Sequence, residues 1–205
     1  MAWAPDYATT AEARAYITRH SETVDDTELA LAVTASSRAI DLCCSQGNTA
    51  RQFGVVTAEE RFYTPRWDRR RLRWIIEIDD LMSTVGFDPQ LQDADGNDVG
   101  AIDAYILEPR NAAVKSRPWT HLVVKPTSTY TPTGIEYEAA LTAPWGWTTT
   151  PTPVKNATLL QTSRFFSRRD SPYGIAGSPD DGSEMRLLAR VDPDVSVMLG
   201  SFKRW

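Results

Sequence analysis

The stretch Leu141–Pro179, LTAPWGWTTTPTPVKNATLLQTSRFFSRRDSPYGIAGSP, is where the chain changes period. Upstream of it apolar residues alternate in twos, and from Thr152 they recur at helical spacing. Thr152 reads as an N-cap and Pro153 as the first helical residue, where proline's fixed φ suits the helix and its missing N–H removes nothing. At about 100° per residue, Val154, Ala157, Leu160 and Phe165 share one side, while Leu159 and Phe166 project nearly opposite. A helix with apolar residues on two sides is buried twice, either in a large core or once by the chain's own fold and once by a neighbour. After the helix, Ser171–Gly182 carries three Gly, two Pro and two Asp, too many breakers for regular structure, and reads as an exposed arm.

Outward from this boundary, the N-terminal third is helical. Thr9 with Glu12 forms a capping box ahead of Ala13, Tyr16, Ile17 and His20. Asp25 with Glu28 opens a second, alanine-rich helix with Leu29, Val33, Ile40 and Cys43 or Cys44 on one side, stopped by Gly47 and Asn48. From about Val55 to Thr142 the period is two. Leu72, Trp74, Ile76 and Ile78 alternate with Arg73, Ile75 and Glu77, and Ile135, Tyr137, Ala139 and Leu141 alternate with Glu136, Glu138 and Ala140. Further strands are expected at Glu59–Tyr63, Thr84–Gln92, Ala101–Leu107 and Thr120–Lys125, with turns at Asp95-Gly96-Asn97, Glu108–Asn111 and Thr131–Gly134. Downstream, Asp192 and Pro193 open a last helix whose stripe runs Val195, Met198, Leu199, Phe202, Trp205.

The expected fold class is therefore α+β: a bundle of about four helices drawn from both ends of the chain, with an inserted antiparallel β-sandwich or open barrel. The expected division is 1–52 for the N-terminal helices, 53–147 for the β domain, and 148–205 for the helices and arm that complete the bundle. Trp145 and Trp147, flanking Gly146, face one way if extended and are placed to seal the junction of sheet and helix.

Composition narrows the function. No apolar run approaches the roughly 20 residues of a membrane span, and the first residues lack the basic start and apolar core of an export signal. Two adjacent cysteines, Cys43 and Cys44, make no disulfide framework and read as buried thiols. A net charge of −5 argues against a general nucleic-acid wrapper. Two basic clusters run against that balance: Arg66, Arg69, Arg70, Arg71 and Arg73 around Trp67, and Arg164, Arg168 and Arg169 at the end of the 153 helix. Each is explained by its local setting, a solvated strand edge and a helix C-terminus, or by the acidic surface of a partner.

Catalytic signals are missing. The Asp93–Asp98 run misses the EF-hand spacing and fits a hairpin turn, and there is no phosphate loop, nucleophile elbow or zinc motif. His20 and His121 are the only histidines, so neither an enzyme, a metal nor a cofactor is expected. Seven tryptophans (Trp3, Trp67, Trp74, Trp119, Trp145, Trp147, Trp205) leave a carbohydrate-binding or other β-rich module as the alternative, with a glycoside hydrolase behind it.

The order of five segments resembles the head-tail connector, or head completion adaptor, proteins of long-tailed bacteriophages, most closely those of actinobacterial phages. They are Asp26–Cys44 (DTELALAVTASSRAIDLCC), Asp103–Asn111 (DAYILEPRN), Leu141–Trp147 (LTAPWGW), Phe165–Gly177 (FFSRRDSPYGIAG) and Asp192–Val195 (DPDV). The resemblance implies a structural virion protein at the head-tail neck, assembled in the host cytoplasm. Its implied form is a ring, generally dodecameric, under the portal protein. That ring continues the channel for double-stranded DNA without sequence-specific binding, docks the next neck or tail-completion protein, and involves no membrane. It also implies portal attachment by the C-terminal segment. Combined with the two-sided 153 helix, it places the subunit or portal interface at Leu159, Phe166, Arg168, Arg169, Asp170, Tyr173, Met198, Phe202 and Trp205.

Overall fold

A computed structural model describes residues 5–17, 25–45, 51, 53–54, 57–169, 175–176, 185–186 and 192–203. Among the described residues the protein is mixed α+β, with four helices and two four-stranded antiparallel sheets that do not close into a barrel. It divides into two compact units: 52–149 is one, and 1–51 together with 150–205 is the other.

The helical unit contains α1 (Thr10–Ile17), α2 (Asp26–Cys44), α3 (Thr152–Arg169) and α4 (Pro193–Leu199), the last continued by a 3-10 turn at Gly200–Phe202. Its starts are set by caps. The Thr9 hydroxyl accepts from the Glu12 N–H at 3.2 Å while the Glu12 carboxylate accepts from the Thr9 N–H at 3.0 Å, a reciprocal capping box. The Asp25 carboxylate accepts from the N–H groups of Thr27 and Glu28, and that of Asp192 accepts from Asp194 N–H, with Pro193 first in the helix. Helix α3 begins one residue earlier than expected, since the Pro151 carbonyl already accepts from Lys155 N–H at 3.0 Å. Lys155 pairs with Glu12, joining α3 to α1, and that hydrogen bond holds the Glu12 carboxyl below its ordinary value. The stretch ahead of α1 is strapped to α2: Tyr7 N–H donates to the Ser37 hydroxyl, the Arg38 guanidinium to the Pro5 carbonyl, and the Tyr7 hydroxyl to Asp41.

In the other unit, β1 (Glu59–Tyr63), β4 (Asp88–Gln92), β5 (Asp98–Ala101) and β8 (Ala139–Ala143) form a sheet in the order β1-β8-β4-β5. The second sheet, β2-β3-β7-β6, is made of β2 (Arg66–Asp68), β3 (Arg73–Leu81), β6 (Tyr105–Glu108) and β7 (Trp119–Val124). One apolar core draws on both sheets, with Ile76, Ile78 and Leu81 from β3, Leu122 and Val124 from β7, Leu91 from β4, Ala139 and Leu141 from β8, and Trp145 beyond it. A further short pair, β9 (Ile175–Ala176) with β10 (Met185–Arg186), lies within the expected arm; the rest of that arm is outside the described residues, as are His20, Gly47 and Asn48.

Three strand expectations are corrected. Leu72 lies in the turn before β3 at φ 52, its side chain in water, so the inward set of β3 starts later. The expected strand from Ala101 to Leu107 is two strands, β5 and β6, separated by Ile102 to Ala104. Residues 131–138 form a loop, with Ile135 and Tyr137 exposed and Glu138 buried. The Glu138 carboxylate accepts from the N–H groups of Thr133 (2.9 Å), Gly134 (2.9 Å) and Ile135 (3.2 Å) and from the Thr133 hydroxyl (3.1 Å). A ring of N–H donors compensates an anion taken out of water, so the carboxylate organises the loop from inside.

Trp145 and Trp147 also depart from expectation. Gly146 takes φ 100, a left-handed region open to glycine, so the segment is not extended. Trp145 is buried in the β core and donates its indole N–H to the Glu59 carbonyl at 2.9 Å. Trp147 donates to the Asp80 carboxylate at 2.8 Å and packs on Phe53 with ring centroids 5.6 Å apart. Both are accounted for within the β unit.

Asp41 gives the helical unit a pH signature. Burial, the largest influence, pushes its carboxyl from an ordinary 3.8 up to about 6, opposed by the Tyr7 hydrogen bond and by Arg38 3.0 Å away. A raised folded value means that the native state holds the proton more tightly than the unfolded chain. The stability linked to it is full below about pH 4 and is lost as pH rises through about 6. Asparagine keeps an acceptor for Tyr7 but does not titrate. The thermal midpoint of wild type relative to Asp41→Asn should therefore fall between about pH 4 and pH 7; a difference that stays flat across that window places the titration elsewhere.

Candidate functional site

Helix α3 is covered by its own unit. Val154, Ala157, Thr158, Leu159, Gln161 and Thr162 are all buried, and at about 100° per residue they span roughly 200° of its circumference. Leu159 packs with Ala8, Ala13, Leu29 and Val33, and half-buried Phe166 packs against the same cluster. The side of α3 expected to meet a neighbour is thus covered by α1, α2 and the strap before them. The three polar members of the buried arc have partners: the Thr158 hydroxyl donates to the Val154 carbonyl and that of Thr162 to the Thr158 carbonyl, while the Gln161 side-chain carbonyl accepts from the Asp192 N–H at 3.5 Å.

The other expected interface residues separate in the same way. Phe202 is buried, and its carbonyl accepts from the Arg51 guanidinium at 2.7 Å, so it closes the helical unit instead of facing outward. Met198 is half-buried on α4. Arg168 and Arg169 are the last two residues of α3, with side chains outside the described set, and Asp170, Tyr173 and Trp205 lie wholly outside it. Arg164, from the same basic cluster, pairs with Asp192 at 3.0 Å and ties α3 to the cap of α4.

What the helical unit does leave in water is a stripe on α2. Leu31 is 67% exposed and Leu42 is 79% exposed, with exposed Ala35 between them. Positions 31, 35 and 42 fall on one line of a helix, four and then seven residues apart. On α4, Val197 is 79% exposed. The sequence contained this signal, since α2 has aliphatic residues on a second side, but its buried stripe is longer and masks the shorter one.

The β unit offers a second surface. A cleft of about 250 Å³ is lined by Trp67, Leu72, Arg73, Trp74, Val124, Lys125, Pro126 and Thr131. Trp74, which alternates with Arg73 and Ile75 in the same set as Ile76 and Ile78, is half-buried: it packs against the core from one side and meets Trp67 edge to face at 5.4 Å on the other. Apart from the donor-only indoles, only Thr131 among these residues brings a neutral hydrogen-bonding side chain, and none is a carboxylate or carboxamide of the kind that grips sugar hydroxyls.

The remaining polar clusters are internally satisfied. Asp93 accepts from the N–H groups of Asp95 and Asn97 at 2.9 Å each, which makes it the hinge of the β4–β5 hairpin. Asp103 accepts from Ser128 and Thr129, and the Thr129 and Ser128 donors hold its carboxyl down at about 2. Asp79 binds Arg61 at 2.7 Å and the Tyr63 hydroxyl at 2.9 Å. Cys44 is buried and its thiol is pushed up to about 12 by that burial, while Cys43 is half-buried, so only part of the expected thiol pair is sealed. No group of residues that could hold a metal ion occurs among the described residues.

Leu159 separates core from interface. Leu159→Ala should cost the lone chain about 2–5 kcal/mol in denaturant unfolding, as buried leucines do. An unchanged monomer stability with weakened self-association would return Leu159 to an intersubunit role.

Compared with protein-family models, curated proteins and solved structures, the chain matches none of them.

Proposed function

We propose that the chain is a structural subunit of a phage virion, a head-to-tail connector that forms a homo-oligomeric ring under the portal. In this reading the helical unit is the bundle common to such adaptors and the two sheets are an inserted sandwich. The ring, dodecameric in the family it resembles, carries the DNA channel onward and docks the next neck component.

The observation that carries the reading is the exposed aliphatic stripe of α2, Leu31, Ala35 and Leu42, on a helix that lies inside one of the resembling segments. Leaving a leucine side chain in water forgoes about 1.5–3 kcal/mol of burial. A monomer gains nothing by placing two on one line of a polar helix face. A ring subunit does, because heterologous contacts close a cycle when one surface of each subunit meets a different surface of the next. Val197 on α4 is an exposed aliphatic residue on another helix of the same unit. The net charge of −5 is compatible with a channel through which phosphates slide without being held. Segment order and α2 support this reading together; the interface moves from Leu159 and Phe202 to Leu31 and Leu42.

Light scattering and negative-stain images of the purified chain, alone and with a portal protein, test it. Rings, or addition to the portal, are the expected outcome; a chain that stays monomeric and ignores the portal refutes the proposal. Within it, the double variant Leu31→Ser, Leu42→Ser should abolish assembly while changing the subunit's unfolding free energy by no more than about 0.5 kcal/mol, the usual range for exposed positions.

A further inference from the structure

From the cleft between β2 and the loop at 131–138, we infer a binding site for an acidic peptide segment of a partner protein, with one large apolar side chain of that segment seated against Trp67 and Trp74. Size, lining, edge and charge converge on this occupant. Sites for whole small molecules run from about 300 to 1,000 Å³, and the cleft's 250 Å³ lies below that range but accommodates a leucine or aromatic side chain. Its walls are Trp67, Leu72, Trp74, Val124 and Pro126. A nucleotide base in the same space would stack on an indole, but of the side chains that could meet its edge Arg73, Lys125 and the indoles only donate, which leaves the Thr131 hydroxyl as the one side-chain acceptor for the base's own N–H groups. An apolar side chain makes no such demand.

Charge selects the sequence around that anchor. Between Arg66 and Arg73 the chain holds five arginines against one aspartate, in a protein whose net charge is −5. The local carboxylates are already engaged: Asp68 accepts from the N–H groups of Arg70 and Arg71, and Glu108 pairs with Arg71 at 2.7 Å. Arg66, Arg69, Arg70, Arg73 and Lys125 form no ion pair among the described residues. Two of them, Arg73 and Lys125, line the cleft itself. Strand β2 ends its sheet, so an extended segment has backbone groups to pair with beside the cleft, the arrangement used in strand addition.

The cleft is also built, not incidental. Leu72 is held at φ 52, a conformation disfavoured for leucine by roughly 1–2 kcal/mol, with its side chain 66% exposed at the wall. Gly134, at φ 91, lies so close under Trp74 that a Cβ there would stand 3.1 Å from the ring. The buried Glu138 carboxylate fixes the loop that carries both Thr131 and Gly134.

The test needs the full chain and does not depend on ring formation, so its outcome is separate from that of the connector proposal. A display library of random short peptides is panned on wild type, and synthetic versions of the enriched peptides are titrated while following tryptophan fluorescence. Enrichment of sequences with two or more Asp or Glu around one Leu, Phe or Trp is the expected result. Their affinity should fall with added salt and drop by about tenfold or more in both Trp67→Ala and Lys125→Glu. Circular-dichroism melts of both variants should match wild type, since Trp67 is 46% exposed and Lys125 is on the surface. No enrichment, enrichment of neutral or basic peptides, affinity untouched by Lys125→Glu, or saturation of the cleft by an oligothymidylate in preference to the peptides would each overturn the inference.

Discussion

A helix that is buried through more than half its circumference has to be surrounded, and α3 is that helix. Its buried arc from Val154 to Thr162 is met by α1, α2 and α4, which lie before and after the β unit in sequence. Since those partners come from both ends of the chain, residues 52–149 are left to fold as a continuous insertion. The helical unit thus depends on long-range contacts that close across the inserted sheets. It secures them with polar ties at several places: Lys155 to Glu12, Arg164 to Asp192, Arg51 to the Phe202 carbonyl. Each tie is modest by itself, and most of the stability comes from the apolar arc they align.

Buried anions organise the rest. Asp41 receives the Tyr7 hydroxyl, Asp80 the Trp147 indole, and Glu138 four donors from its own loop. A carboxylate inside a protein is tolerable only with such donors, so each one fixes the segment that supplies them. In the helical unit that segment is the strap before α1. In the β unit, the consequence reaches the surface, because the loop closed by Glu138 forms one wall of the Trp67–Trp74 cleft.

The helix starts were legible because capping is local chemistry. Thr9 with Glu12, Asp25, and Asp192 before Pro193 all act within three residues, and the structure shows those bonds. Alternation was less reliable where tertiary demands override it. Ile135 and Tyr137 fit a strand by period and composition, but the neighbouring Glu138 is pulled inward by N–H donors that no periodicity reveals. Leu72 fits an inward position by parity, and a left-handed backbone turns the strand one step later. The two sides of α3 were visible as a pattern, but not what covers them: sequence gives the direction of Leu159 around its own helix and says nothing about Leu29 and Val33 arriving there. The α2 stripe shows the converse, as an exposed set of two leucines and an alanine is overshadowed by the longer buried set on the same helix.

Charge distribution constrains how the two proposed surfaces can coexist. In the proposed connector, a basic hairpin facing the channel would hold DNA that has to slide, because counterion release makes affinity for DNA grow with each phosphate neutralised. The arginines from Arg66 to Arg73 are in the β unit, while the α2 stripe belongs to the helical one, where Asp25, Asp26 and Glu28 crowd the first turn of the same helix. An assembly through α2 brings apolar surface out of water with acidic groups at its margin, which disfavours contact with phosphate. Under that proposal the basic hairpin has a different task. A partner that is itself acidic, and that offers an apolar side chain to the paired indoles, satisfies both its charge and its shape, whereas DNA satisfies the charge alone.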